Sequence, residues 1–382
     1  MTALTSQPMP AKLIISNSQS DSNMFYATGF LSADDFVYLE YGKKKIIYID
    51  DMEFDRASSE AIDCEVRKYT DYASGVHRNT FGSLLIKILK DSKIKIVQVP
   101  GNFKIKYAKI LIEGGIEIDI KEPFFTTREI KTEDEIKKIT QVQRANEKAM
   151  REALSILEKS KIRKDGKLSY QNKILTSEYL KEIINIEFLK KDCYSESNIV
   201  SCGKDSVQPH NLGKGPILAN QLIIIDIFPK SKTQRYFADM TRTFVKGKAT
   251  EKMKKMYMAV LKAQKISLRE IKAGARPDLI QQKVEEYFNK KGFKTEEKNG
   301  KMSGFFHGTG HGVGLNIHEL PNIGNRNKKP LKAGNVVTVE PGLYYPENGG
   351  VRIEDLVVVT KSGCQNLTKF PKVLEIKQLL KY

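Results

Sequence analysis

The 382-residue sequence contains no tryptophan, only four cysteines and only five histidines. Cys64, Cys193, Cys202 and Cys364 form no CxxC pair and no dense framework. A disulfide scaffold is thereby excluded, and reduced thiols of a cytoplasmic protein are expected. No stretch approaches the roughly 20 consecutive apolar residues that a membrane-spanning helix needs, so no membrane association is expected. Residues 1–20 lack an apolar core followed by a small-residue cleavage site, and no secretory signal is expected there. With 40% hydrophobic and 29% charged residues, 26 glycines and 13 prolines, the chain is neither disordered nor collagen-like.

Acidic residues are also in short supply: 64 Lys and Arg face 46 Asp and Glu, a net charge of +18. The imbalance is uneven, about −1 over residues 1–127 and +19 over 128–382. Such asymmetry can mark a polyanion-binding domain. Here the lysines are dispersed along helices and loops rather than gathered in one block interleaved with aromatics. A solvated surface is the expected reading, with no specific nucleic-acid partner.

The N-terminal third alternates short β-branched runs with polar turns. Phe36–Leu39, Lys45–Ile49, Ile94–Val99 and Lys109–Ile112 read as strands, and Ser58–Ala61 and Thr80–Leu89 as helical pieces. A small α/β domain over 1–127 is expected, and it holds no nucleophile, phosphate loop or ligand cluster. Its one histidine, His77, reads as a surface residue. A boundary falls near Pro123–Lys131. Thr132 and Glu135 then have the spacing of a capping box, followed by a helix with Ile136, Ile139, Val142, Ala149, Ala153 and Leu157 near one face. Helical character also runs over about 170–190, 251–271 and 277–291.

From Ile199 onward, apolar runs end abruptly in acidic residues. Leu222–Ile225 leads into Asp226, Tyr236–Ala238 into Asp239, Val336–Val339 into Glu340, and Val351–Ile353 into Glu354. A carboxylate placed there is costly to bury without a compensating cation. His210, His307, His311 and His318 fall in the same region, the last three in a glycine-rich segment that lets groups crowd a ligand. Carboxylates that bridge, with a neutral imidazole beside them, are what a pair of divalent metals asks for.

These motifs resemble the creatinase-like "pita-bread" metallopeptidases, and within them the Xaa-Pro aminopeptidase and prolidase group. The matching stretches are Ile225-Asp226-Ile227 with Asp239–Phe244, then His307–Pro321, Val339–Tyr344 and Val351–Asp355; Met52–Ala57 fits the group's N-terminal domain. The resemblance implies a small α/β N-terminal domain followed by a pita-bread catalytic domain over 128–382. It implies two divalent ions (Mn, Co, Zn or Fe) held by Asp226, Asp239, His311, Glu340 and Glu354, with Asp239 and Glu354 bridging. A water between two such cations becomes a nucleophile near neutral pH. Glu340 is then the expected general base, His210 and His318 steady the tetrahedral oxyanion, and Arg352 orients the carboxylates. His307 is expected either to line the substrate pocket or to make a structural hydrogen bond. Asp355 and Glu319 are expected to be hydrogen-bonding neighbours rather than ligands, and Tyr344 and Tyr345 to be packing or pocket wall.

Two features depart from the family pattern. Asp226 and Asp239 lie thirteen residues apart where the family usually has eleven, and an even insertion leaves both on the same side of a pleated hairpin. Prolidase-like members often place an arginine after the second histidine to hold a dipeptide carboxylate; Asn322 stands there instead. A neutral amide cannot make the charge-assisted fork of an arginine. The resemblance implies hydrolysis of the N-terminal bond before proline in short peptides, by a homodimer. Prolidase-type dipeptidase is the alternative, ahead of a methionine aminopeptidase or a non-catalytic binding protein of the same fold.

Overall fold

The computed structural model describes residues 10–74, 80–298 and 300–376, and the chain divides into two compact units, Met1–Arg128 and Glu129–Tyr382. His77 lies outside the described residues. Among them, no helix is long and apolar enough to cross a membrane.

The first unit is built on a six-stranded mixed sheet in the order Glu65–Lys68, Lys44–Ile49, Phe36–Tyr41, Ala11–Ser16, Ile96–Pro100, Glu117–Lys121. Strand side chains alternate between faces, and both faces are covered. Leu13, Val37, Leu39 and Tyr48 pack with Leu85, Ile88 and Leu111 from two helices. Ile14, Phe36, Tyr38 and Ile47 pack on the other side with Met24 and Ala57. That double burial is why the central strands read as continuous apolar runs. One expectation fails here. Lys109–Ile112 is not a strand but the end of a helix, Ile105–Glu113, which buries Tyr107 and Leu111 and leaves Ile105 and Ile112 exposed. Four residues with two isoleucines cannot separate a helical period from a strand's; the true strand follows as Glu117–Lys121.

The second unit opens with the expected capping box. Thr132 Oγ1 accepts from Glu135 N at 3.2 Å, and Glu135 Oε2 accepts from Thr132 N at 2.7 Å. The helix it starts, Glu133–Lys159, buries Ile139, Val142, Ala149, Ala153 and Leu157. Helical character over 170–190 is corrected at its start. Leu168–Tyr170 and Lys173–Ile174 form short strands, and the helix begins at Ser177 behind a Thr176 cap.

Three sheets carry the acidic chain ends. Leu222–Ile227 is the middle of a three-stranded antiparallel sheet, between Ile199–Cys202 and Met240–Val245. A five-stranded sheet runs in the order Glu319–Ile323, Gly310–Gly312, Val336–Val339, Asp355–Val359, Cys364–Asn366. A hairpin, Gly342–Tyr345 with Gly349–Arg352, adds the third. Two buried amides lock these pieces to helices. Asn146 Nδ2 donates to Ile227 O at 2.8 Å. Gln264 Nε2, from helix Glu251–Glu270, donates to Val339 O at 3.0 Å and Ile353 O at 3.1 Å, the residues just before Glu340 and Glu354.

Candidate metal centre

Strand register decides which carboxylates meet. Asp226 sits opposite Thr241, and Asp239, two residues before Thr241, lines the same cleft as Asp226 despite the longer connection between them. Asp239 lies just ahead of strand Met240–Val245 rather than at the end of one, since Tyr236–Ala238 is irregular. Glu354 stands between the strands Gly349–Arg352 and Asp355–Val359, with its N donating to Thr241 O at 3.1 Å and its Oε2 accepting from Thr241 Oγ1 at 2.7 Å.

His311 arrives from the five-stranded sheet. Its flanking glycines let it do so: a Cβ at Gly310 would lie 2.0 Å from Thr338 O, and one at Gly312 2.5 Å from Glu319 O. Thr338 Oγ1 accepts from the His311 backbone N at 3.0 Å and donates to Glu340 Oε1 at 3.1 Å, so one hydroxyl joins the main chain at His311 to the Glu340 carboxylate. His311 Nδ1 lies 3.2 Å from Gly312 O, which only an N–H can satisfy. Nε2 therefore carries the lone pair, and it faces Glu340 Oε1 at 3.3 Å and Asp239 Oδ2 at 3.7 Å.

All ten residues singled out in the sequence line one cleft of about 860 Å³: His210, Asp226, Asp239, His307, His311, His318, Asn322, Glu340, Arg352 and Glu354. Asp226, Asp239, Glu354 and Arg352 are buried, whereas His210, His318 and Asn322 are exposed on its walls. The rings of His311 and His318 meet edge to face with centroids 4.4 Å apart.

The cleft crowds buried carboxylates against one another. Burial, and then the neighbouring carboxylates, push Asp239 and Glu354 well above the ordinary carboxylate range; burial is also the main cause of the rise at Glu340. Burial pulls His307 and His311 down, and at His318 on the rim partial desolvation beside His311 acts the same way, favouring neutral imidazoles. Among the described residues, Asp226 Oδ1 and Asp239 Oδ1 are buried and find no hydrogen-bond partner. A neutral imidazole lone pair aimed at two carboxylates, with orphaned oxygens beside it, fits a cation between them. Among the described residues, Asp239, His311 and Glu354 present ligand atoms that all lie within 4.8 Å of one another.

Tyr344, expected as packing or wall, is fully buried in a cluster with Ile199 and Ile224, and its hydroxyl lies between Arg352 Nη1 at 2.8 Å and His307 Nε2 at 3.0 Å, a link the sequence reading did not include. Thr241, Thr338 and Gln264 are set by pairings far apart in the chain and leave no local signal. Of the neighbours, Asp355 forms a buried ion pair with Arg242 at 2.9 Å, and Glu319 pairs with buried Lys131 at 2.6 Å. Tyr345 is half-buried and donates to Lys294 O at 2.9 Å.

The profile of metallopeptidase family M24 matches residues 137–361, more than half of the chain. The chain belongs to metallopeptidase family M24. A Xaa-Pro dipeptidase of Pyrococcus furiosus is 29% identical over 354 residues, 92% of each protein. Among solved structures, an X-Pro aminopeptidase from Thermotoga maritima aligns at a TM-score of 0.79 and 26% identity, covering 96% of this chain and 97% of that one. A Xaa-Pro dipeptidase from Bacillus anthracis aligns at 0.81 and 26%, covering 96% and 94%. The mixed α/β architecture is thus the two-domain, pita-bread arrangement of this M24 group.

Proposed function

We propose that this M24 protein is a two-metal exopeptidase that releases the N-terminal residue of a short peptide by hydrolysing the bond before proline. The observation that carries the reading is the convergence of Asp226, Asp239, His311, Glu340 and Glu354 in one cleft, with Asp226 Oδ1 and Asp239 Oδ1 buried and unsatisfied. These five would hold two divalent cations, Asp239 and Glu354 shared between them; Mn, Co, Zn and Fe all suit such a donor set. Bound there, such ions polarise a carbonyl and draw the pKa of a water toward neutrality.

The protein's own groups do the remaining work. Glu340, held by Thr338 Oγ1, takes a proton from the attacking water and passes it to the departing prolyl nitrogen. That nitrogen leaves as a secondary amine and needs the proton, because the bond before proline is a tertiary amide without an N–H. His210 and His318, exposed on the cleft walls, donate to the substrate amide and to the oxygen that gains charge. Arg352 holds Asp226 in place at 2.7 Å, and His307 with Phe306 walls the substrate's side of the cleft.

Asn322 favours aminopeptidase over dipeptidase action, since it offers no cation to a dipeptide carboxylate; the relatives named Xaa-Pro dipeptidase favour the second reading. The protein is further proposed to act as a homodimer in the cytoplasm, where its four free cysteines would stay reduced. The test is turnover of Ala-Pro, Ala-Pro-Leu and Ala-Ala-Leu by protein loaded in turn with Mn, Co, Zn and Fe. Hydrolysis confined to the proline peptides supports the reading. No turnover under any of the four metals overturns it.

A further inference from the structure

A second cavity, of about 800 Å³, adjoins the cleft and shares Phe306, His307, Gly308, Asn322 and Gly324 with it, so the two form one groove. Its lining is of another kind. In place of clustered carboxylates and imidazoles it offers apolar surface, with Met302 and Leu320 41% and 40% exposed beside Phe305 and Pro321. Arg326, Lys329 and Lys332 line it too, and among the described residues none of these side chains has an ion pair or hydrogen bond. The cavity's acidic groups are Glu129 and Glu285, and Glu285 Oε1 already accepts from Gln281 at 2.9 Å and Asn325 at 2.8 Å.

The segment bearing Arg326 is held in shape. Asn327 N donates to Gly324 O at 3.1 Å, closing a tight turn, and Asn327 Nδ2 donates to Asn322 O at 2.7 Å. Asn325 Nδ2 ties the same turn to helix Pro277–Lys290 through Glu285. Among the described residues, Arg326 is thus an unpaired guanidinium on a braced turn, four residues past Asn322 and in the adjoining part of the groove.

We infer that this second cavity takes the residues following proline, and that Arg326 receives the free C-terminal carboxylate of an Xaa-Pro tripeptide or tetrapeptide. The inference rests on the proposed Xaa-Pro activity and adds to it the length and end-group of the substrate. Each residue beyond proline carries the carboxylate up to about 3.3–3.6 Å further along the groove. A dipeptide's carboxylate therefore stops beside neutral Asn322, whereas a longer peptide lays an amide there and delivers its charge to a guanidinium fork. The apolar wall at Met302 and Leu320 suits an apolar side chain after proline.

The test compares Ala-Pro-Leu with its C-terminal amide, Ala-Pro-Leu-NH2, on metal-loaded wild type and Arg326→Gln. Wild type is expected to favour the free acid by about tenfold in kcat/KM, as a charge-assisted pair at a partly exposed site allows. In Arg326→Gln the ratio of acid to amide falls below about twofold, mainly through KM. Because it is a ratio within one preparation, partial misfolding of the variant cannot mimic it. Equal turnover of acid and amide by wild type, or an unchanged ratio in the variant, overturns the inference while leaving Xaa-Pro hydrolysis standing. Calorimetric binding of the product Pro-Leu against Pro-Leu-NH2 reads the same discrimination without turnover. Tighter binding of the acid in an inactive protein would support the groove and sink the activity; equal binding would sink the groove.

Discussion

The guanidinium of Arg352 donates to Asp226 Oδ2 at 2.7 Å and, from its other terminal nitrogen, to the Tyr344 hydroxyl at 2.8 Å. Arginine has no acceptor, so the hydroxyl accepts there and must donate onward. Its other partner is His307 Nε2 at 3.0 Å, whose ring donates in turn from Nδ1 to Gly308 O at 2.8 Å. Every hydrogen along the chain is thereby assigned: a neutral His307 on the cleft wall is tied to a candidate metal ligand through two buried side chains.

Tyr344→Phe tests this chain with little change of shape. It leaves His307 Nε2 and one Arg352 donor without their partner, at a cost of about 1–3 kcal/mol in stability. Turnover should fall by roughly tenfold as Arg352 and His307 lose their fixed positions. Urea unfolding and steady-state kinetics on the same preparation check both figures, and wild-type values for both would show that the hydroxyl is dispensable.

The crowded carboxylates predict how pH and metal act on stability. Asp239, Glu354 and Glu340 hold their protons more tightly folded than unfolded. As pH rises from the ordinary carboxylate range through their raised folded values, the unfolded state binds fewer protons and metal-free stability falls. Added divalent metal needs the ionised ligands and relieves their repulsion. The rise in Tm on adding Mn to chelator-treated protein should therefore be larger at pH 8 than at pH 5. Asp239→Asn should flatten the metal-free profile, lower bound metal and nearly abolish turnover. A metal-induced rise that shrinks with pH, or full activity in Asp239→Asn, would contradict the assignment.

Arg242 makes a separate, structural prediction. All its donors are engaged inside the protein, by the carbonyls of Thr241, Glu354, Phe370 and Pro371 and by Asp355 Oδ1. Lys372 and Asn366 take the other oxygen of Asp355. Arg242→Met leaves buried Asp355 short of its main cation and should cost about 3–5 kcal/mol. The loss should appear in urea unfolding with metal present or absent. A change below about 1 kcal/mol, the range of an exposed pair, would show that the guanidinium is not needed.

What could be read from the chain alone follows from the range of each interaction. Thr132 and Glu135 cap within one turn, so four residues suffice to see it. Asp226, Asp239, Glu340 and Glu354 stand out because a charge closing an apolar run is anomalous wherever the run lies. Gln264 is different: it joins residues 75 and 89 positions away, and an amide on a lysine-rich helix looks like solvent-facing polarity until the sheets are in place. Tyr344 looks like wall for the same reason, its partners being fixed only when the hairpin pairs Gly342 with Arg352. Lys109–Ile112 was legible as apolar but not as helical, because the burial that decides it belongs to Tyr107 and Leu111 on either side of the run's start.

Asn322 carries the last prediction. It is exposed on strand Glu319–Ile323 and lines both parts of the groove. A dipeptide places its carboxylate on the proline itself, where it meets this neutral amide and stays without a cation at a cost. Asn322→Arg supplies the fork and should raise kcat/KM for Ala-Pro relative to Ala-Pro-Leu-NH2 by about tenfold, the scale of one charge-assisted pair. The amide substrate is the right reference because it lacks the carboxylate that Arg326 is inferred to hold, so the two arginine effects separate. If wild type already favours Ala-Pro strongly over Ala-Pro-Leu, a cation other than residue 322 must reach the dipeptide's end. In that case Asn322→Arg will leave the ratio unmoved, and the lysines of the long connection between Asp226 and Asp239 become the groups to replace.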